Sequence, residues 1–589
     1  MLVLKAIISI LKLTSKRLGW RGFLVKVFVW FLESRIFGGI LLFFLKRNNL
    51  IHKLVTHAEL EDAPVYVPLH PYEDLKEQEV KHIDSELSPH EKVQQALDCL
   101  PLPSQQSSFH SWKILDYSKA YSSGEITPLM VAERFIAAVR ESSKPPFQMS
   151  FFINCNEEDI LKQAKESTLR YERGEPISVL DGVPVAIKDE IDCSPYPTTG
   201  GTKWLHKVRP CKGDACCVMR LRSCGAILVG KTNMHELGAG TSGINPHYGV
   251  TRNPHDPSKI TGGSSSGSAA VVAAGLCPAA LGVDGGGSVR MPAALCGVVG
   301  FKPTFGRVPL SGVLPLNWTV GMVGILANTL EDALIVYAAI NGPLPSHQPT
   351  SPLEVPKLYF PMLQSTKSIS AIKLAKYAEW FNDSSDDIRV CCSRALDLLC
   401  SRFAWKSVDV TIPDIEVMRL AHYVTIGSEC TTSLSSYLKD MNNNSEQGWD
   451  ARVALGVYGS FSSQEYIKAQ KIRNRQMQIH SKIFAKADVI VAPTTGVTAY
   501  EIKDDAMNTG ELDYINGAAL VRYQIAGNFL GLPAVTVPVG YDKAGLPIGL
   551  QFIGKPWSEP TLMHIAFAMQ SLCISDYRKP KVCYDLLSN

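Results

Sequence analysis

The sequence predicts an α/β protein of the layered kind, and three observations carry that expectation. From Ser111 onward, segments with helical apolar spacing alternate with short apolar runs bounded by Gly, Pro or Asp, the pattern of strands and helices packed in layers. Of 589 residues, 46% are apolar and 20% charged, values of a folded globular chain and not of a disordered one or a multi-pass membrane protein. No internal repeat is visible.

The elements follow in order. Pro128 to Arg140 reads as a helix opened by Thr127 as N-cap with Pro128 at the first position. Gly182 to Ile187 is a short buried strand ending at Lys188, and Ala226 to Val229, Ala280 to Val283, Val489 to Ala492 and Pro533 to Pro538 are further strands. A helix of small residues runs from Ser268 to Gly275. Two later helices are clear: Asp387 to Cys400, with Ile388, Cys391, Ala395 and Leu399 on one face, and Gln464 to Lys486. The section from Pro343 to Gly459 carries fewer signals and reads as an insertion in a single large domain, with a loop by composition at Asn442 to Gln447.

The N-terminus differs in kind. Residues 1–53 hold ten Lys or Arg and one acidic residue, Glu33, among bulky apolar side chains. Lys26, Glu33 and Arg35 interrupt the stretch from Phe23 to Leu45, too often for a spanning helix of about 20 apolar residues. The expectation is a helix lying on a membrane surface, with Phe28, Trp30, Phe31, Phe43 and Phe44 among acyl chains and the cations at the headgroups. Residues 54–110 turn acidic and read as a connecting arm, leaving 111–580 as the body of the protein.

Some function classes are excluded at this stage. A net charge of +3 without a basic stripe argues against nucleic acid as a partner. Fifteen scattered cysteines without C-x-x-C repeats predict reduced thiols and no metal site. Gly225 to Thr232 spells the phosphate-loop pattern G-x-x-x-x-G-K-T, but Ala226 to Val229 is itself a strand and leaves no flexible cradle for phosphate. No cofactor is expected.

The densest chemical signal is a pair of glycine-serine loops, Thr261-Gly262-Gly263-Ser264-Ser265-Ser266-Gly267-Ser268 and Asp284-Gly285-Gly286-Gly287-Ser288-Val289-Arg290. The small-residue helix and a strand separate them, so both can return to one end of a sheet. Consecutive amides at Gly285, Gly286, Gly287 and Ser288 can converge on one oxygen, as a tetrahedral oxyanion requires. Ser288 then sits where a nucleophile belongs. His247 and His255 lie in turn-like segments and read as surface histidines, while Lys188, at the end of its strand, can act as a base if burial keeps its amine neutral. From pattern alone, two flexible turns and a surface lysine paired with Asp189 or Glu190 fit equally well.

Taken together, the strand ending in Lys188, the Gly-Gly-Ser-Ser loop and the Asp-x-Gly-Gly-Ser-x-Arg loop, with Ser288 following Ser264 by 24 residues, resemble the amidase signature family. The likeness extends through Ser123 to Thr127, Gly230 to Leu237, Thr251 to Pro254 and Gly531 to Ala534, and the wording of both loops resembles the plant-type fatty acid amide hydrolases. It implies the amidase signature fold, a large mixed central sheet covered by helices on both faces. It also implies a triad in which Lys188 takes a proton through Ser264 from Ser288, with Gly285, Gly286, Gly287 and Ser288 forming the oxyanion hole. Asp284, Arg290 and Ser265 would brace the loops, and Met234 would line the substrate pocket.

The implied reaction is hydrolysis of lipid amides such as N-acylethanolamines by a homodimer at the cytosolic face of the endoplasmic reticulum or plasma membrane. The competing functions are an amidase of small or aryl amides, a glutamine-dependent amidotransferase subunit, and an inactive receptor or scaffold. The membrane-seeking N-terminus argues against the amidotransferase, and the complete Lys188, Ser264, Ser288 set argues against the scaffold.

Overall fold

The computed structural model describes residues 20–58, 60–71, 75–101, 111–343, 357–365, 369–439 and 446–588. Residues 1–19, most of the expected loop at 442–447 and part of the acidic arm lie outside the described residues.

The strands are, in chain order, β1 Val80–Ile83, β2 Phe152–Asn154, β3 Pro184–Lys188, β4 Ile227–Thr232, β5 Ala279–Asp284, β6 Val299–Lys302 and β7 Met322–Ala327, then β8 Leu358–Pro361, β9 Lys373–Lys376, β10 Lys406–Asp409, β11 Val489–Pro493, β12 Ala534–Tyr541 and β13 Pro547–Gly554. Eleven of them form one mixed sheet in the order β10-β9-β11-β13-β12-β6-β7-β5-β3-β4-β2, while β1 and β8 pair apart. Most of the expected strands fall within about two residues of their sequence reading. β4 runs three residues further than its apolar letters, because Lys231 and Thr232 resume the pairing with β3 after a register shift.

Towards the β2 end of the sheet, β3 pairs in parallel with both β4 and β5. Both faces of this part of the sheet are covered, and every residue of β3, β4 and β5 is buried, as expected where parallel strands lie between helical layers. Parallel pairing also brings the C-terminal ends of β3 and β5 to the same edge, where layered α/β proteins build their sites.

Local signals set the helix starts. Thr127 Oγ1 accepts from Met130 N at 3.2 Å at the head of Pro128–Ser142. The small-residue helix, Ser266–Ala273, is buried along its whole length. Its Ser268 hydroxyl bonds Thr232 Oγ1 at 2.7 Å, and Gly267 N donates to Asn233 O at 2.9 Å. In Asp386–Phe403 the buried face is Ile388, Cys392, Ala395, Leu396 and Leu399, and Cys391 is only half-buried. The expected face is thus one position out, because Cys392 and Leu396 point at β13 and the core while Cys391 looks past them toward Val539.

The middle section adds β9 and β10 to the sheet edge and supplies two helices, Ile415–Lys439 and Trp449–Tyr458, that roof the end of the sheet where β3 and β5 finish. Upstream, residues 60–71 lie along the helix Ser463–Phe484, with Val65 N donating to Gln470 O at 3.1 Å and Lys471 Nζ to Leu60 O at 2.7 Å. The helix Pro89–Leu97 then opens on a capping box of Ser88 and Glu91.

Three helices, Phe23–Leu32, Gly38–Asn48 and Ile51–His57, pack on this roof. Val25, Phe28, Val29, Leu32, Leu41 and Leu45 form a cluster with Val453 and Val457, and Glu33 pairs with Arg452. Phe28 therefore belongs to the protein core and not to an acyl layer: only 5% of it is exposed, because Trp20 stacks edge-on against it. Trp30 and Phe43 remain 66% and 60% exposed. Among the described residues, no helix is long and apolar enough to cross a membrane.

Gly267 leaves no room for a side chain in this packing. A Cβ there would stand 2.4 Å from Phe151 O and 2.6 Å from Asn233 N, both rigid backbone. Gly267→Ala is expected to cost about 1–3 kcal/mol, read as a lowered Tm or loss of soluble protein.

Candidate active site

The site is built from the ends of β3 and β5 and the two serine loops. Lys188, the last residue of β3, is fully buried. Its Nζ lies 2.7 Å from Ser264 Oγ, 3.2 Å from Val283 O and 2.6 Å from Glu190 Oε2. Burial pushes the Lys188 amine below its ordinary pKa, and the Glu190 carboxylate opposes that shift. The alternative of a surface lysine is overturned: the apolar strand carries Lys188 inside, Glu190 follows it, and Asp189 pairs with Lys231 at 3.0 Å. That last pair, with Thr198 at 2.9 Å from Lys231, also removes the phosphate-loop lysine from solvent.

Ser264 precedes the helix Ser266–Ala273, across a cis peptide with Gly263. The two loops are tied together by Ser265, whose N–H donates to Ser288 O at 3.2 Å and whose hydroxyl donates to Val283 O at 3.4 Å. No hydrogen bond joins the Ser264 and Ser288 hydroxyls directly. Ser288 and Gly286 are half-buried and face a cavity of about 400 Å³.

Asp284 organises the second loop. Its carboxylate accepts from Gly287 N at 2.7 Å, Val289 N at 3.1 Å and Arg290 N at 3.3 Å, and it takes Arg290 Nε and Nη2 at 3.0 Å each. Burial alone would raise the Asp284 pKa, but Arg290, with Lys302 behind it, holds the carboxyl well below the usual carboxylate range. Arg290 is anchored in turn by Gln551 Oε1 at 2.7 Å and Asn528 Oδ1 at 2.6 Å. Gly287 consequently spends its N–H on Asp284, so this member of the expected oxyanion hole points into the brace. The amides of Gly285, Gly286 and Ser288 donate to no group among the described residues.

Other expectations change. Met234 is fully buried, 3.3 Å from where a Cβ on Gly201 would stand, and does not line the cavity, since the chain turns inward there to let Asn245 cap Met234 O at 2.8 Å. His255 is buried against Tyr541, where burial lowers its pKa to about 4. His247 sits 3.2 Å from the buried Glu236. His255 is thus buried and His247 half-buried, where surface histidines were expected, and neither contacts the serines.

One residue of the site went unread in the sequence. His422, from the helix Ile415–Lys439, donates or accepts at 2.8 Å with Gly285 O and lines the cavity; burial holds its pKa near 4 and its ring neutral. With the ring neutral, Nε2 carries the proton and donates to the carbonyl. It lies in the section poorest in motifs, and nothing in its helical spacing marks it. The cavity's apolar wall is Leu50, Leu420, Tyr423, Ile426, Val521 and Ile525, and Asn48 and Asn49 bring the N-terminal helices to its rim.

This arrangement can activate a serine through a buried amine and hold an oxyanion on backbone amides, which is the equipment of acyl transfer. The comparisons agree. The family model for amidases matches residues 146–563, and the chain belongs to the amidase family. It is 46% identical to a fatty acid amide hydrolase of Oryza sativa subsp. indica over 581 residues, covering 96% of this chain and 95% of that protein. A fatty acid amide hydrolase of Arabidopsis thaliana is likewise 46% identical over 585 residues, with the same coverage. Among solved structures, the peptide amidase PAM bound to the competitive inhibitor chymostatin superposes with a TM-score of 0.68 at 26% identity, over 80% of this chain and 98% of that one.

Asp284→Asn leaves Arg290 buried without its counter-charge. The expected loss is about 3–5 kcal/mol, measured as a fall in Tm with amide hydrolysis lost in parallel, since the loop that holds Ser288 is no longer tied.

Proposed function

We propose that the protein hydrolyses amides of long-chain fatty acids, N-acylethanolamines among them, through an acyl-enzyme on Ser288. The observation that carries the mechanism is the fully buried Lys188 amine 2.7 Å from Ser264, beside the only serine of the second loop, at the floor of a large cavity. Lys188 takes the Ser264 proton as Ser264 takes that of Ser288. The Ser288 oxygen attacks the carbonyl, and the amides of Gly286 and Ser288, with that of Gly285 beside them, hold the oxyanion. The proton then returns along the same path to the departing amine, which cannot leave as an anion. Water repeats the sequence to free the fatty acid.

The substrate class rests on three supports. The near full-length relatives are named for fatty acid amides. The cavity of about 400 Å³ is walled mainly by apolar side chains. The N-terminal helices that reach its rim also expose Phe23, Leu24, Trp30, Ile36, Ile40 and Phe43. These side chains, with Lys26, Arg35, Arg47 and Lys53 exposed beside them, suit docking on an anionic bilayer surface, at the cytosolic face of the endoplasmic reticulum or plasma membrane. Acyl chains partition into such a surface at about 0.8 kcal/mol per methylene, so docking places the cavity where the substrate is concentrated.

Fatty acid release from a long-chain N-acylethanolamine is expected for the wild type, to vanish in Ser288→Ala, and to fall roughly 100-fold or more at neutral pH in Lys188→Ala. Cleavage of a short amide but of no lipid amide would overturn the substrate class alone. Trp30→Ser with Phe43→Ser should weaken sedimentation with vesicles containing phosphatidylserine while leaving hydrolysis in detergent unchanged.

A further inference from the structure

Three acidic side chains lie buried around the ends of β3 and β5, and two of them are each held by several donors. Asp284 accepts five hydrogen bonds from its loop and from Arg290. Asp189 takes the Thr199 hydroxyl and amide, Gly201 N at 3.3 Å and the Lys231 ammonium. Glu190 is different. It is 3% exposed, and its carboxylate meets no donor among the described residues except Lys188 Nζ, at 2.6 Å.

A buried carboxylate normally persists because several donors replace its lost water. One that keeps a single partner depends on that partner's charge, and here the partner is the group that gains a proton during the reaction. The pair also closes on the serine: a Cβ at Gly238 would stand 3.1 Å from Glu190 Oε1 and 3.5 Å from Ser264 Oγ, so carboxylate, amine and relay hydroxyl share one small space.

We propose that Glu190 is a positioning residue for Lys188, orienting the amine toward Ser264 and stabilising the ammonium that forms when the relay removes the Ser288 proton. The proposal rests on the Lys188, Ser264, Ser288 reading given above. In the acylation step the Ser288 oxygen bonds the acyl carbon, the carbonyl electron pair moves to its oxygen, the Ser288 proton passes to Ser264 and the Ser264 proton to Lys188. Lys188 becomes cationic at that moment, and the Glu190 carboxylate lies against the new charge. When the C–N bond breaks, the proton leaves Lys188 through Ser264 for the amine nitrogen, and the pair returns to its starting charge.

Other charges face the same space. Asp284 lies behind Lys188 at the end of β5 and is neutralised by Arg290, and the Cys430 thiol approaches Glu190 from the helix Ile415–Lys439, where burial raises its pKa to about 12 and keeps it uncharged. Glu190 is thus the charge left to set the basicity of Lys188.

The sign of the pH effect follows. Activity requires a neutral Lys188, so it rises with pH through the lysine's pKa. Removing the carboxylate makes the amine harder to protonate and moves that limb to lower pH, by about one to three units for an opposite charge at this range. A less basic amine is also a weaker general base, so the plateau falls, by roughly 10-fold or more.

The test is the pH profile of amide hydrolysis by wild type, Glu190→Gln and Glu190→Asp, with Tm recorded for each and Ser288→Ala as control. The expected result is an acid limb displaced to lower pH in Glu190→Gln with a reduced plateau, and a smaller displacement in the same direction in Glu190→Asp, whose carboxylate stands further back. If Glu190→Gln does not fold, the direction of the Glu190→Asp shift decides. A limb that coincides with wild type in the folded variants overturns the proposal and leaves Glu190 a packing residue. Activity surviving in Ser288→Ala would instead overturn the triad on which it rests.

Discussion

The constraint on which the site depends is the burial of one amine. Lys188 closes β3, and β3 lies between two parallel neighbours and is buried along its whole length. An ammonium there would lose its hydration, so the neutral form is favoured, and a neutral amine within 2.7 Å of a hydroxyl can act as a base. The parallel pairing that buries Lys188 also delivers the end of β5 to the same edge, and with it Asp284 and the loop carrying Ser288. Sheet topology and chemistry therefore have one cause.

The second loop is held by charge. Gly285 to Ser288 has almost no side chain with which to fix itself, so its shape comes from Asp284 beneath it, which in turn is fixed by Arg290, whose guanidinium donates to Gln524 O, Gln551 Oε1 and Asn528 Oδ1 from distant parts of the chain. His422 adds a hydrogen bond from the roof to Gly285 O. The glycines permit the conformation, and the buried ion pair selects it.

What was legible in the sequence divides along the same line. Lys188, Ser264 and Ser288 could be read because each sits in a short, compositionally unusual segment: an apolar run ending in a cation, or a glycine-serine cluster. The central strands were legible because strands buried on both faces are continuous apolar runs. β9 and β10, at the sheet edge, are half polar, with Lys373, Lys376, Lys406 and Ser407, and left no such mark. His422 sits on a helix whose buried face is ordinary. Gly287 and Met234 were misassigned because a motif names residues without saying where an N–H or a thioether points, and Phe28 because an apolar helix that packs on Val453 and Val457 has the same letters as one that packs on lipid.

The central claim is that a buried lysine, working through Ser264, makes Ser288 the nucleophile. It is tested most directly by labelling the full-length protein with an alkyl fluorophosphonate and locating the adduct by peptide mass spectrometry. The account predicts a single adduct on Ser288, formed far more slowly in Lys188→Ala and in Ser264→Ala. An adduct on Ser264 or elsewhere, or labelling of Ser288 at an unchanged rate without Lys188, would contradict it.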